Sequence, residues 1–149
     1  MAALFYQLLR SGVEDTLAML VEKSLERGWR VAVRARDAGR LDQLDHALWL
    51  REEFLPHGIA GGPHDALQPV LLTTGDINNS AACLVALDGA EVSAGEAAAL
   101  DRVCILFDGN DDAALARARD QWRALTGAGV AAQYWSEETG RWVMKTEKK

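Results

Sequence analysis

The sequence predicts an α/β fold, a single domain whose mostly parallel open sheet is covered by flanking helices. Three observations lead there. Short, almost continuously apolar runs at residues 3–9, 70–73, 83–87 and 103–107 have the length and composition of strands buried on both faces. Segments whose apolar residues recur at helical spacing alternate with them. The chain has 149 residues, of which 49% are hydrophobic, which suits one domain with a substantial core and excludes a disordered chain.

Residues 3–9 form the first strand, and Gly12 breaks it. Leu17, Leu20, Val21 and Leu25 then fall at helical spacing, and Gly28 stops that helix near Arg27. Residues 29–34, Trp-Arg-Val-Ala-Val-Arg, alternate apolar and basic as a strand does. In the next helix Leu41, Leu44, Leu48 and Trp49 share one stripe. The order β-α-β-α is the signature of parallel strands joined by crossover helices, a Rossmann-like arrangement. Residues 51–69 hold all three prolines and read as a loop with an ordered apolar centre. Strands at 70–73 and 83–87 are separated by the turn-rich Gly-Asp-Ile-Asn-Asn-Ser. A short helical turn is expected within 92–101, then a strand at 103–107. The loop 108–112 ends in good N-caps for a strong Ala/Leu/Arg helix over 113–126, which Gly127 and Gly129 end. Residues 130–135 and 141–145 make a closing antiparallel pair, and residues 145–149 are expected to fray. No repeat or linker divides the chain, so residues 1–149 are one domain.

The formal net charge of −6 hides a partition. Residues 41–112 carry thirteen acids against two bases, whereas residues 1–40 and 113–149 are each net positive. The acidic middle argues against a broad nucleic-acid surface, so no direct, specific nucleic-acid binding is expected. Stacking of single-stranded DNA on Trp122, Tyr134 and Trp135 is disfavoured for the same reason. An anionic partner should meet the last third of the chain or the edge of the first. No apolar run approaches about 18 residues and no secretory signal is visible, which points to a cytoplasmic protein without a membrane span. Cys83 and Cys104 sit in apolar runs and read as buried hydrophobes.

Parts for catalysis are scarce. The first strand runs into Arg10-Ser-Gly-Val-Glu-Asp, with one glycine where a phosphate loop needs several and two acids that would repel phosphate. His46, His57 and His64 lack metal-ligand spacing, and no serine sits in a nucleophile elbow. The adjacent acids Glu52/Glu53 and Asp111/Asp112 read as loop acids and caps. No catalytic residue, metal or cofactor is expected, and a nucleotide- or small-molecule-binding enzyme on the same sheet is the alternative.

Binding is better supported. Leu115, Arg119, Trp122 and Arg123 fall at i, i+4, i+7 and i+8, on one helix face. Two guanidiniums flanking an indole could hold a carboxylate-rich peptide whose apolar residue enters the gap. The plainer reading makes Trp122 core and lets the arginines run along the surface. Arg27, Arg30, Arg34, Arg36 and Arg40 read as a solvated strand end and helix start. In Phe54-Leu-Pro-His57 the apolar pair could either anchor its loop or present Phe54 to a partner.

These residues together resemble the chi subunit family of bacterial DNA polymerase III. The similarity runs through Phe5-Tyr6, Gly28-Trp29-Arg30-Val31, Leu41, Leu44-Asp45, Ala47-Leu48-Trp49, Phe54-Leu-Pro-His57-Gly-Ile-Ala60, residues 113–123, Gly129 and Tyr134-Trp135. The resemblance implies a Rossmann-like fold without nucleotide chemistry and a non-catalytic replisome role. It implies binding of the acidic C-terminal tail of single-stranded DNA-binding protein at Arg119, Trp122 and Arg123, with Phe107 or Asp108 near the rim. A usually basic position seven residues before Trp122 is Leu115 here, and Arg117 is the candidate to compensate. The second implied partner is a psi-type clamp-loader subunit, facing Phe54, Leu55, Pro56 and His57.

Overall fold

The computed structural model describes residues 2–51, 55–138 and 141–149. In chain order the elements are β1 (Ala2–Leu8), α1 (Val13–Glu26), β2 (Val31–Arg34), α2 (Ala38–Trp49), β3 (Gly58–Ile59), β4 (Val70–Thr73), β5 (Cys83–Leu87), α3 (Ala94–Ala99), β6 (Arg102–Asp108), α4 (Asp112–Gly127), β7 (Ala131–Glu138) and β8 (Arg141–Lys148). Among the described residues eight strands form one sheet in the order β3-β4-β2-β5-β6-β1-β7-β8. Every pairing is parallel except β7 with β8.

Alternation along the strands sends side chains to two cores. Val31, Val33, Leu72 and Val85 meet α1 and α2 through Leu17, Val21, Leu41 and Leu44. On the opposite face Phe5, Leu84, Ile105 and Phe107 meet α3 and α4 through Ala97, Ala118 and Leu125. Strands β2, β4 and β5 are buried along their whole length, as double coverage requires. The short helix α3 is held by a full capping box, Ser93 with Glu96. After β5, Asp88 and Gly89 both take positive φ (56° and 79°), and Ala90 N–H closes the turn on Leu87 C=O at 3.0 Å. No helix among the described residues is long and apolar enough to cross a membrane.

Several expectations are corrected. Trp49 leaves the apolar stripe of α2, whose buried residues are Leu41, Leu44 and Leu48, and is 52% exposed. The basic stretch is only partly solvated. Arg34 is buried, makes paired contacts of 2.9 and 2.7 Å to the Glu96 carboxylate, and also donates to the Gly75 and Glu91 carbonyls. Those Arg34 hydrogen bonds are the largest cause holding the Glu96 carboxyl at about 2. Arg40 ties α2 to Asp88 at 2.8 Å and to Glu14 of α1 at 3.1 Å. Strand β2 starts at Val31, leaving Trp29 between the guanidiniums of Arg27 and Arg102, 5.1 and 5.4 Å from its ring. The loop after α2 supplies an edge strand, β3, and β8 runs on to Lys148, with Ala132 opposite Lys148.

Candidate functional site: the cleft between α4 and the C-terminal hairpin

Helix α4 is capped by Asp111, whose carboxylate accepts from the N–H of Ala113 at 2.9 Å and of Ala114 at 3.4 Å. Its core side buries Ala118 and Leu125, with Leu115 half-buried against the same cluster. Turning away from the core, the helix presents Arg119, Trp122 and Arg123 to a cleft of about 600 Å³. The indole of Trp122 is part of its floor, edge-on to Phe5 at 5.3 Å and to Tyr134 at 6.1 Å. Tyr134 is fixed at its far end, because its hydroxyl donates to Gln7 Oε1 at 2.6 Å. Burial pushes the Tyr134 hydroxyl pKa up against the opposing pull of Arg119, so the phenol stays a neutral donor. Gly109 makes room for this arrangement, since a Cβ there would lie 2.5 Å from Gln7 Cγ.

The opposite wall comes from β7 and β8 through Ser136, Glu138, Lys145 and Thr146. Lys145 Nζ lies 2.9 Å from Glu138 Oε1. Arg123 is loosely paired with Asp120 at 3.9 Å, both side chains more than three-quarters exposed, a contact of little energetic weight. The cleft thus combines three cations, one acid and an aromatic floor. Chemically it can pair carboxylates at its rim and cover an apolar side chain on Trp122 and Tyr134.

Of the residues singled out from the sequence, Arg119, Trp122 and Arg123 come together here. Leu115 packs inward and does not line the cleft. Arg117 points to the other side of α4, its guanidinium lying over Gly89 and reaching the Asp88 carbonyl at 3.5 Å. Phe107 is buried and approaches the cleft only through the Tyr134 ring, 5.9 Å away. Asp108 is exposed at the end of β6, beside Asp88 and Asp111 in a separate crevice. Gln7, Tyr134, Glu138 and Lys145 were not assigned to this site from the sequence. The hairpin turn could have suggested Lys145, because it returns β8 across β7. Nothing local announces Gln7, which depends on β1 pairing with β7.

Phe54, Glu52 and Glu53 lie outside the described residues. Leu55 and His57 are buried, Leu55 in the core beneath α2, while Pro56 is half-buried. His57 Nδ1 donates to the Leu55 carbonyl at 2.7 Å, its Nε2 lies 2.9 Å from Asp45 Oδ1, and its ring packs on Trp49 at 4.5 Å. Leu55 and His57 therefore hold the segment from beneath, next to the exposed Trp49 and Leu50.

The turn after β1, where dinucleotide-binding sheets hold phosphate, is already filled. The buried carboxylate of Glu137 accepts from the backbone N–H of Leu9, Arg10 and Ser11 (3.2, 2.8 and 2.8 Å) and from the Ser11 hydroxyl. Burial works to raise its pKa, but the hydrogen bonds from Ser11, Arg10 and Leu9 prevail and hold it at about 2. Among the described residues no group of three or more His, Cys, Asp or Glu is placed to hold a metal ion.

Comparison with known families gives one match: the family described as "DNA polymerase III chi subunit, HolC" covers residues 1–133. That span includes Arg119, Trp122 and Arg123 and stops one residue short of Tyr134. No curated protein matches the sequence.

Proposed function

The chain belongs to the DNA polymerase III chi subunit family, whose members are accessory subunits of the replisome, and on that premise we propose that it is a non-catalytic adaptor. One surface, the cleft between α4 and β7–β8, takes the acidic C-terminal tail of single-stranded DNA-binding protein. The other, around residues 49–57, faces a psi-type clamp-loader subunit. The protein works in the cytoplasm, at the nucleoid-associated replisome, and needs no cofactor.

The observation that carries this reading is the convergence of Arg119, Arg123 and Lys145 around the Trp122–Tyr134 floor. Carboxylates of the tail pair with the cations, and its apolar terminal residue packs on the rings. Arginine suits the rim because its planar fork meets a carboxylate at two points. Partly exposed pairs of this kind are screened within about 8–10 Å at physiological salt, so binding is modest and salt-sensitive. Several tails on one oligomeric partner restore strength through avidity. For the clamp-loader side, Phe54 is the proposed anchor. Trp49 and Leu50, 52% and 72% exposed, supply apolar surface beside it. The alternative, a nucleotide-binding enzyme, is disfavoured because Glu137 already occupies the β1–α1 turn.

Calorimetry with a synthetic tail peptide tests the cleft. Arg119→Ala should weaken binding roughly five- to tenfold, the scale of one partly exposed charge-assisted contact, without lowering thermal stability. A peptide lacking its last residue should bind more weakly still. Equal affinity of Arg119→Ala and the wild type would overturn the site.

A further inference from the structure

A second hollow, of about 300 Å³, lies on the other face of the sheet, between α1 and the C-terminal hairpin. Its aromatic walls are Tyr6, Trp135 and Trp142, with Trp142 edge-on to Tyr6 at 5.3 Å. Lys23, Arg27 and Arg102 supply three cations, and among the described residues no carboxylate lines it. In a chain of net charge −6 that is an uncommon concentration of one sign. The α4 cleft includes Glu138, and the crevices at the strand C-termini mix arginines with aspartates and glutamates. Arg102 is half-buried, and among the described residues its guanidinium has no hydrogen-bond or ion-pair partner and lies 5.4 Å from the Trp29 ring. With no carboxylate beside it, its donors stay open to a carboxylate brought by a ligand.

We propose that this hollow is a second anion-recognising pocket, which takes an acidic peptide segment by seating an apolar side chain among Tyr6, Trp135 and Trp142 and a carboxylate against Arg102, Lys23 and Arg27. The choice of peptide rests on the reading given for the α4 cleft, whose chemistry this hollow repeats. Alternation puts Tyr134 on one face of β7 and Trp135 on the other, so the hairpin presents aromatic surface to each side, and on the second side α1 and β6 supply the cations. A strand of nucleic acid fits less well. It needs a basic track along its backbone, whereas the exposed surface of α1 beside the hollow carries Glu22 and Glu26.

The test follows the tryptophan indole N–H resonances of the full chain during titration with a synthetic hexapeptide of acidic residues ending in phenylalanine. A parallel titration uses oligothymidine. Trp135 and Trp142 report the hollow and Trp122 reports the α4 cleft. The Trp135 and Trp142 signals should move saturably with peptide in the wild type and in Arg119→Ala. Lys23→Glu, an exposed change, and Arg102→Gln should each weaken that response about tenfold. Movement of Trp122 alone would overturn the pocket and leave the cleft reading intact. Movement of Trp135 and Trp142 alone would support the pocket and overturn the cleft. Silence of all three indoles would overturn both, and a response of Trp135 and Trp142 to oligothymidine but not to peptide would overturn the pocket in favour of nucleic acid.

Discussion

Replacing Glu137 by glutamine keeps the shape of the side chain but removes the charge that three backbone N–H groups and a hydroxyl converge on. The amide turns one acceptor oxygen into a donor, set against donors already there. A fall in carboxyl pKa from 4.5 to about 2 corresponds to roughly 3 kcal/mol of folding free energy. In a domain of this size that is a loss of about 10 °C in Tm. The sign is fixed by linkage. A carboxyl whose folded pKa lies below its unfolded value stabilises fully above about pH 5, and the stabilisation drains away as pH falls towards 2. Urea unfolding of wild type and Glu137→Gln across pH 2.5–7 should show a gap of about 3 kcal/mol at neutral pH that closes on acidification. Glu96, held at about 2 by Arg34, titrates in the same window in both proteins and cancels in the difference. Parallel curves, with a gap independent of pH, would refute the view that the ionised carboxylate is what the turn holds.

Asn79 is fully buried, and its Nδ2 donates to the carbonyls of Val31 at 3.1 Å and Gln68 at 2.9 Å. Asn79→Ala should cost about 2 kcal/mol in urea melts by stranding these acceptors, with tail-peptide affinity unchanged. Gly89 has φ +79°, and a Cβ there would sit 2.7 Å from Arg117 Cδ. Gly89→Ala should cost roughly 1–2 kcal/mol. Adding Arg117→Ala should recover little of that loss, because the exposed arginine can swing aside while the backbone strain remains; full recovery would make the side-chain clash the cause.

The interior of the sheet could be read from the sequence because doubly covered strands are nearly all apolar and both α1 and α4 carry their stripes at helical spacing. The ends of the stripes were less legible. Trp49 is the last residue of α2 and packs on the His57 ring outside the buried stripe, so apolarity alone placed it in the core. Arg34 looked solvated because its partner, Glu96, is 62 residues away. Within the cleft, the α4 residues could be grouped by periodicity, a local property. Gln7, Tyr134 and Lys145 come together only through the β1–β7–β8 pairings, and the separation of Arg117 from Arg119 follows from two residues being about 200° apart on a helix.

The first strand lies deep in the sheet, with Ala2 opposite both Arg102 and Ala131. On a chain synthesised from its N-terminus, β1 therefore leaves the ribosome long before either neighbour exists. Contacts of such sequence separation carry the full entropic cost of closing a long loop before they return any stabilisation. The half-sheet β3-β4-β2-β5 can collapse early onto α1 and α2, while β1 waits for β6 and then β7. The segment that completes the architecture, β7 with β8, is also the one that walls the cleft beside α4, so a nascent chain gains that cleft only in the last steps of becoming folded.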